Sequence, residues 1–186
     1  MKKLLIAIIV LAVLGGLGYW AYHNSSFLIP NTPAATNSAA SSTTSELTQA
    51  YSNTAYRFSL KMPADFAESD TQDPDTNATT IVLQNQTGDG VQIVVSPFSD
   101  DPQDGSGYTL TKERILQDVP DLAISNEQPV TVGTNYTGLA FKSNNDAFGG
   151  DSREVWFVFR GNLYQISTYA RLDPLLQKMF GTWSFN

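Results

Sequence analysis

The chain has 186 residues, of which 18 are acidic and 11 basic, and it contains no cysteine; its formal net charge is -7. This length favours one domain with accessory segments. An acidic surface repels phosphate backbones, so nucleic acid is disfavoured as a partner. The lack of cysteine excludes a disulfide framework, a thiolate nucleophile and a zinc–thiolate site.

The N-terminal segment predicts a membrane anchor. The run from Leu4 to Tyr22 holds 19 residues without a charge and follows Lys2 and Lys3. As a helix it would span roughly 28 Å, close to the roughly 30 Å hydrocarbon core of a bilayer. Aromatic residues, which favour the membrane interface, gather at its far end: Tyr19, Trp20 and Tyr22. We expect residues 1–23 to be a single-pass signal-anchor in the cell membrane, with the N-terminus cytoplasmic and the C-terminal domain extracytoplasmic.

A cleaved secretory signal is the alternative for the same segment. The apolar stretch from Leu4 to Leu14 has the length of a signal-peptide core. Gly16 and Gly18 resemble the small residues of a cleavage site, but the following Tyr19-Trp20-Ala21 places a bulky residue where a small one is required. We therefore expect the segment to be retained.

Residues 24–50 are expected to form a flexible tether. From Asn24 to Ser45 the chain is rich in Ser, Thr, Ala, Asn and Pro and carries no charged side chain. Such a composition buries too little apolar surface to offset the entropy of ordering. About 22 residues of this kind reach roughly 25 Å on root-mean-square average. A domain on this tether would search the space just outside the membrane.

A period-two pattern marks the start of a globular domain, residues 51–186. Apolar residues alternate with polar ones up to Pro63, as in a half-buried strand: Tyr56, Phe58, Leu60 and Met62. The runs TTIVLQNQ and VQIVVSPF predict two more strands around the turn sequence TGDG. Shorter strands are expected at PVTVG and YTGLAFKS.

The sequence TLTKERILQDVPD predicts the first helix of the domain. It is expected to begin near Thr109 or Thr111 and to end before Pro120. Its apolar residues form one stripe: Leu110, Ile115, Leu116 and Val119.

The stretch EVWFVFRGNLYQIST, residues 154–168, predicts a β-hairpin. Two alternating runs flank Gly161-Asn162, residue types that accept the positive φ of a primed turn. The face that carries Glu154 also holds Trp156 and Val158, and it is apolar enough for us to expect a helix over it.

The helix expected there is DPLLQKMFG. Asp173 would be its N-cap, Pro174 its first residue and Gly181 its stop. Its apolar stripe would consist of Leu175, Leu176, Met179 and Phe180. The final TWSF is expected to be a short strand or extended tail.

Both ends of the domain resemble PsbP-like domains. The opening pattern Y-x-N-x-x-Y-x-F-S-L-x-x-P-x-x-F covers Tyr51 to Phe66, and the ending combines NLYQIST, a short helix and TWSF. The resemblance spans roughly residues 51–186 and implies the Mog1/PsbP-type α/β/α sandwich, an α+β fold with a mainly antiparallel sheet flanked by helices. It also implies a non-enzymatic module that docks on other proteins. No ligand or docking residues of the plant members can be matched here.

The reactive residue types form no catalytic constellation. The single histidine, His23, adjoins the anchor, so no Ser-His-Asp triad or histidine metal site is expected in the domain. A Ser-Lys pair would have to use one of four lysines that no motif singles out: Lys61, Lys112, Lys142 and Lys178.

Two acidic loops invite comparison with calcium sites. Asp73, Asp75 and Asn77 match the first ligands of an EF-hand loop, but Ala78 replaces the turn glycine and Gln84 the bidentate glutamate. A second loop, SDDPQDGSG, clusters three more carboxylates: Asp100, Asp101 and Asp104. We interpret both loops as solvating, with weak calcium binding in the second as the alternative.

We therefore expect a membrane-tethered extracytoplasmic interaction module, a non-enzymatic accessory subunit of an envelope complex whose partner is an unidentified envelope protein. No catalytic, cofactor-binding or metal-binding residue is expected. The alternative is an envelope hydrolase or metal-dependent enzyme that uses carboxylate, Ser or Lys side chains. Converging carboxylates in a pocket would favour the enzyme, and an exposed apolar patch would favour the module.

Overall fold

The computed structural model describes residues 46–100, 108–134 and 136–186. Residues 1–45, which hold the predicted anchor and most of the predicted tether, lie outside this part of the chain. Among the described residues, no helix has the length and apolar character needed to cross a bilayer.

Ten strands and two α-helices make up the described chain. In order they are β1 (Leu47–Asn53), β2 (Phe58–Pro63), β3 (Ala67–Gln72), β4 (Thr79–Gln84), β5 (Gly90–Pro97), α1 (Lys112–Asp118), β6 (Ser125–Val132), β7 (Tyr136–Ser143), β8 (Ser152–Phe159), β9 (Asn162–Tyr169), α2 (Asp173–Phe180) and β10 (Ser184–Phe185). Short 3-10 turns occupy Asp146–Phe148 and Ala170–Leu172.

The strands form two antiparallel sheets. The larger has seven strands in the order β3-β4-β5-β9-β8-β7-β6, and the smaller has three in the order β1-β2-β10. With its two short helices, the structure confirms the predicted class, a mainly antiparallel α+β fold.

The main core lies between the two sheets. Alternate residues of the seven-stranded sheet face it, among them Val155, Phe157, Tyr164 and Ile166. The small sheet and α2 cover them with a second set of buried residues: Phe58, Leu60, Met62, Leu176, Met179 and Phe180. Aromatic rings join the layers, since Phe58 makes an edge contact with Tyr164 at 6.1 Å between ring centroids and Phe157 makes one with Trp183 at 5.8 Å.

A smaller core occupies the opposite face of the seven-stranded sheet, beneath α1. Ile115 of α1 packs with Trp156 and Val158 in this cluster. The predicted first helix is confirmed, with the Thr111 side chain accepting a hydrogen bond from the Arg114 amide at 3.3 Å. The prediction that α2 covers Trp156 and Val158 is wrong, because α2 packs on the main core. The alternation of side chains along a strand shows which residues share a face, but it does not show which helix packs on that face.

The β8–β9 hairpin is confirmed, but its turn lies one residue earlier than predicted. Phe159 pairs with Asn162, so the turn residues are Arg160 and Gly161, with φ of 48° and 71°. Asn162 belongs to β9 because it also pairs with Pro97 of β5.

Two strands and one cap differ from the sequence prediction. β1 begins at Leu47, inside the segment predicted as tether, because that residue packs against the main core. β3 was not predicted, since all its side chains are exposed and no apolar alternation marks it. Asp173 is the first residue of α2 rather than its N-cap, and its carboxylate pairs with Arg153 at 3.1 Å.

Candidate functional site

The first acidic loop, which was predicted to be solvating, is a turn between β3 and β4. The Asp73 carboxylate accepts the Asp75 amide at 2.9 Å, and such hydrogen bonds lower the pKa of Asp73. In the second loop, Asp100 pairs with Arg114 at 2.8 Å, whereas Asp101 and Asp104 lie outside the described residues. Among residues 46–100, 108–134 and 136–186, no three acidic or histidine side chains come together as a metal site.

Two of the lysines that were considered for a Ser-Lys pair, Lys112 and Lys142, have no serine partner for their ammonium groups in the described part of the chain. Lys112 pairs with Glu127 at 3.5 Å. Lys142 is exposed and adjoins Ser143 along β7, so the two side chains point to opposite faces of the sheet. His23 lies outside the described residues.

The sequence did not reveal that Glu154 is a buried carboxyl group. It is the third residue of β8, and only 2 % of the residue is exposed. Four neutral side chains donate to it: Ser152 at 2.7 Å and Asn145 at 3.4 Å to Oε1, and Trp156 at 3.3 Å and Ser167 to Oε2. On its face of β8, Glu154 is flanked by Ser152 and Trp156, and this pattern gives no signal that the carboxyl group is buried.

Burial and hydrogen bonding act on the charge of Glu154 in opposite directions. Burial raises the pKa of the carboxyl above its ordinary value, while the four hydrogen bonds act in the opposite direction. In the described part of the chain, no basic side chain forms an ion pair with it. Arg153 precedes Glu154 in β8, and Lys142 of β7 pairs with Arg153. Both side chains therefore belong to the other face of the sheet.

Other buried polar side chains lie on the same face of the sheet as Glu154. Ser167 pairs with Glu154 on one side and with Gln92 on the other, so the three form a row across β8, β9 and β5. Gln92 Nε2 and Ser143 Oγ have no hydrogen-bond partner among the described residues. This polar cluster can hold a proton, but its burial separates it from a substrate in solution.

A second feature is an aromatic surface, here called the aromatic tip, formed by Tyr136, Phe159, Arg160 and Phe185. The three rings are partly exposed and contact one another, with centroids 4.6 Å, 4.9 Å and 3.9 Å apart. The guanidinium of Arg160 lies over the Phe159 ring at 4.8 Å.

Arg160 of the aromatic tip and the nearby Arg57 have unusual backbone conformations. Arg57 and Arg160 both lie in turns with positive φ, 55° and 48°, a region that few residues other than Gly, Asn and Asp adopt. Asn186 lies between them: its amide donates to the Arg57 carbonyl at 2.8 Å, and its main-chain oxygen accepts from Arg160 at 3.1 Å. Both arginine side chains are exposed.

Comparison with known proteins does not assign this chain to a family. No family model matches the chain, and no curated protein is similar to it in sequence. Among solved structures, the solution structure of cyanobacterial PsbP (CyanoP) from Synechocystis sp. PCC 6803 is similar with a TM-score of 0.49 and 14% sequence identity, over 74% of this chain and 92% of that one. A likeness at this level says nothing about the function of this chain.

Proposed function

We propose that this protein is a non-enzymatic interaction module of the cell envelope, held at the membrane by its N-terminal segment and acting as an accessory subunit of a larger complex. The observation that carries the proposal is the aromatic tip, where three partly exposed rings lie in contact beside an exposed arginine.

The residue types of the aromatic tip are those that dominate binding energy at protein interfaces. Tyrosine, phenylalanine and arginine are enriched at protein interfaces, and tyrosine and arginine are also enriched among hot spots. Here the rings of Tyr136, Phe159 and Phe185 are already fixed by mutual contact, so docking would cost them little rotamer entropy.

The position of the aromatic tip suits a tethered domain. β1 runs from Leu47, where the chain enters the described domain, to Asn53 beside the turn that contains Arg57. Seven residues of strand span roughly 20 Å. A domain attached through its N-terminal side would therefore present the tip away from the attachment point.

The charge of the aromatic tip indicates the chemistry of its partner. Arg57 and Arg160 are two cations on a chain whose formal net charge is -7. We infer a protein partner that presents carboxylates beside apolar side chains, and the acidic balance of the whole chain disfavours nucleic acid.

For the alternative, an envelope hydrolase or metal-dependent enzyme, the described residues bring a carboxyl group and hydroxyl groups together at Glu154, Ser152 and Ser167. These three residues are buried and bonded to one another. A catalytic acid has to reach the bond that it cleaves, so the geometry favours the module.

Replacing Arg160 with asparagine should weaken partner capture. Asparagine tolerates the positive φ of this position, so the change removes the guanidinium without straining the turn. Loss of one interface arginine is expected to lower affinity by at least about tenfold. The measurement is quantitative capture of partner from solubilised membranes by the tagged full chain.

Arg171→Asn is the matched control. Arg171 is also exposed and lies over an aromatic ring, that of Tyr169 at 4.5 Å, but at the opposite end of β9. The Arg171→Asn variant should capture as much partner as the unchanged chain. Equal capture by all three proteins, or equal loss in both variants, would exclude the aromatic tip as the docking surface.

A further inference from the structure

β3 is a free edge of the seven-stranded sheet, here called the β3 edge. Its six residues pair with β4 in an unbroken register, and all of their side chains are exposed. The opposite edge, β6, has a register shift between Ser125 and Gln128, and it contains Pro129, which has no amide hydrogen. Such interruptions protect an edge against added strands. β3 has neither, so its outer side presents a regular row of main-chain groups.

The hydrogen-bond pattern shows which main-chain groups of β3 point outward. The Asp73 amide donates to the Ala78 carbonyl at 2.8 Å, in the same register as the β3–β4 pairs. Hydrogen-bonded pairs alternate with non-bonded pairs along antiparallel strands. Every second residue before Asp73 therefore bonds to β4: Thr71, Ser69 and Ala67. The N–H and C=O groups of the residues between them point away from the sheet: Gln72, Asp70 and Glu68.

Two of these outward residues carry negative charges on one face. Glu68 and Asp70 pair with Leu83 and Ile81, which face the main core, so both carboxylates lie on that side of the sheet. Both are exposed, and in the described part of the chain neither forms an ion pair. Side chains directly opposite each other on paired strands interact, and opposite charges stabilise the pair. A strand added to the β3 edge would gain most from cations opposite these two residues.

A second copy of this chain is a poor occupant of the β3 edge. Antiparallel pairing of two β3 strands over most of their length places Asp70 opposite either a second Asp70 or Glu68. Like charges directly opposite each other destabilise a strand pair. The whole chain also has a formal net charge of -7, so two copies repel each other as they approach.

We propose that the β3 edge binds an extended basic segment of another protein by antiparallel strand addition. The main chain of that segment pairs with the outward N–H and C=O groups of β3, and Lys or Arg side chains two positions apart lie opposite Glu68 and Asp70. The aromatic tip lies on β7, β8 and β10, away from this edge, so the proposal does not depend on the proposed function.

A titration with a basic peptide tests the proposal. The full chain, isotope-labelled and kept in mild detergent, receives a short synthetic peptide in which lysine alternates with threonine. NMR then follows the exchange of individual main-chain amides with solvent. The amides of Glu68, Asp70 and Gln72 should become protected when the peptide is added. The amides of Ser69 and Thr71 already bond to β4, so their exchange should change far less.

The same peptide N-methylated at its lysines separates strand addition from attraction between charges. In antiparallel addition the lysine amides face β3, so methylation keeps every charge and blocks the pairing of main chains. This peptide should protect none of the outward amides. Equal protection by both peptides, or none by the unmodified peptide, would overturn the proposal. Protection that grows with protein concentration in the absence of peptide would also overturn it, because a second copy would then occupy the edge.

Asp70→Asn should weaken binding of the unmodified peptide about two- to fivefold, as expected for the loss of one exposed charge pair. Asp121→Asn is the matched control, because it removes an equal charge from an exposed residue outside β3. The control variant should bind the peptide as tightly as the unchanged chain does. Unweakened binding by Asp70→Asn, or an equal loss in both variants, would contradict the pairing of a cation with Asp70.

Discussion

Replacing Phe58 with alanine is expected to lower the free energy of unfolding by about 3–5 kcal/mol. Phe58 lies in the middle strand of the small sheet, is 0 % exposed, and stacks on Trp183 with centroids 4.4 Å apart. It also makes an edge contact with Tyr164 of the large sheet at 6.1 Å. Its removal would leave a cavity between the sheets, and the loss is a large part of the roughly 5–15 kcal/mol that stabilises a typical domain. Urea unfolding followed by tryptophan fluorescence measures the change.

Phe185→Ala is the matched control for Phe58→Ala. Phe185 pairs with Phe58 in the small sheet but is partly exposed, so its truncation removes less buried surface. A loss of about 1–2 kcal/mol is expected for it. If Phe58→Ala cost no more than Phe185→Ala, the sheets would not be held together by the ring of Phe58.

Glu154→Gln should flatten the dependence of stability on pH above about pH 5. The folded-state pKa of Glu154 is raised above its ordinary value of 4.5 by burial. The stabilisation from its neutral form is therefore fully present below the unfolded-state pKa and is lost as pH rises through the folded-state pKa. Glutamine cannot ionise, so the free energy of unfolding of Glu154→Gln should rise with pH relative to that of the unchanged chain.

Urea unfolding of both proteins at about pH 5, 6.5 and 8 measures this difference. Glu68→Gln removes an exposed carboxylate and should leave the pH profile unchanged. Parallel profiles for Glu154→Gln and the unchanged chain would mean that Glu154 has the same pKa in the folded and unfolded states.

Elements with strong local patterns could be predicted from the sequence. β2 alternates clearly, and β4, β5, β8 and β9 are short segments rich in β-branched and aromatic residues. α1 has a capping threonine before one apolar stripe. β3 could not be predicted because both of its faces are exposed, so backbone pairing with β4 alone makes it a strand. The turn between β8 and β9 was misplaced because asparagine suits a primed turn as well as a strand end.

Neither candidate site has a local signature. The aromatic tip is assembled from β7, the end of β8 and β10, which are distant in sequence, so only the topology brings its rings together. Glu154 was assigned to the polar face of its strand, and that face is buried because residues from outside the hairpin cover it. Alternation shows which residues share a face, whereas burial depends on what packs against it.

Site-specific photo-crosslinking in cells tests most directly whether the aromatic tip docks on an envelope protein. A photoreactive phenylalanine at Tyr136 replaces one ring of the tip, and the same residue at Tyr169 replaces a partly exposed ring at the opposite end of the domain. The account predicts a discrete crosslinked protein from position 136 that is absent from position 169 and is lost with Arg160→Asn. Crosslinking from position 169 alone, or the same product from both positions, would contradict it.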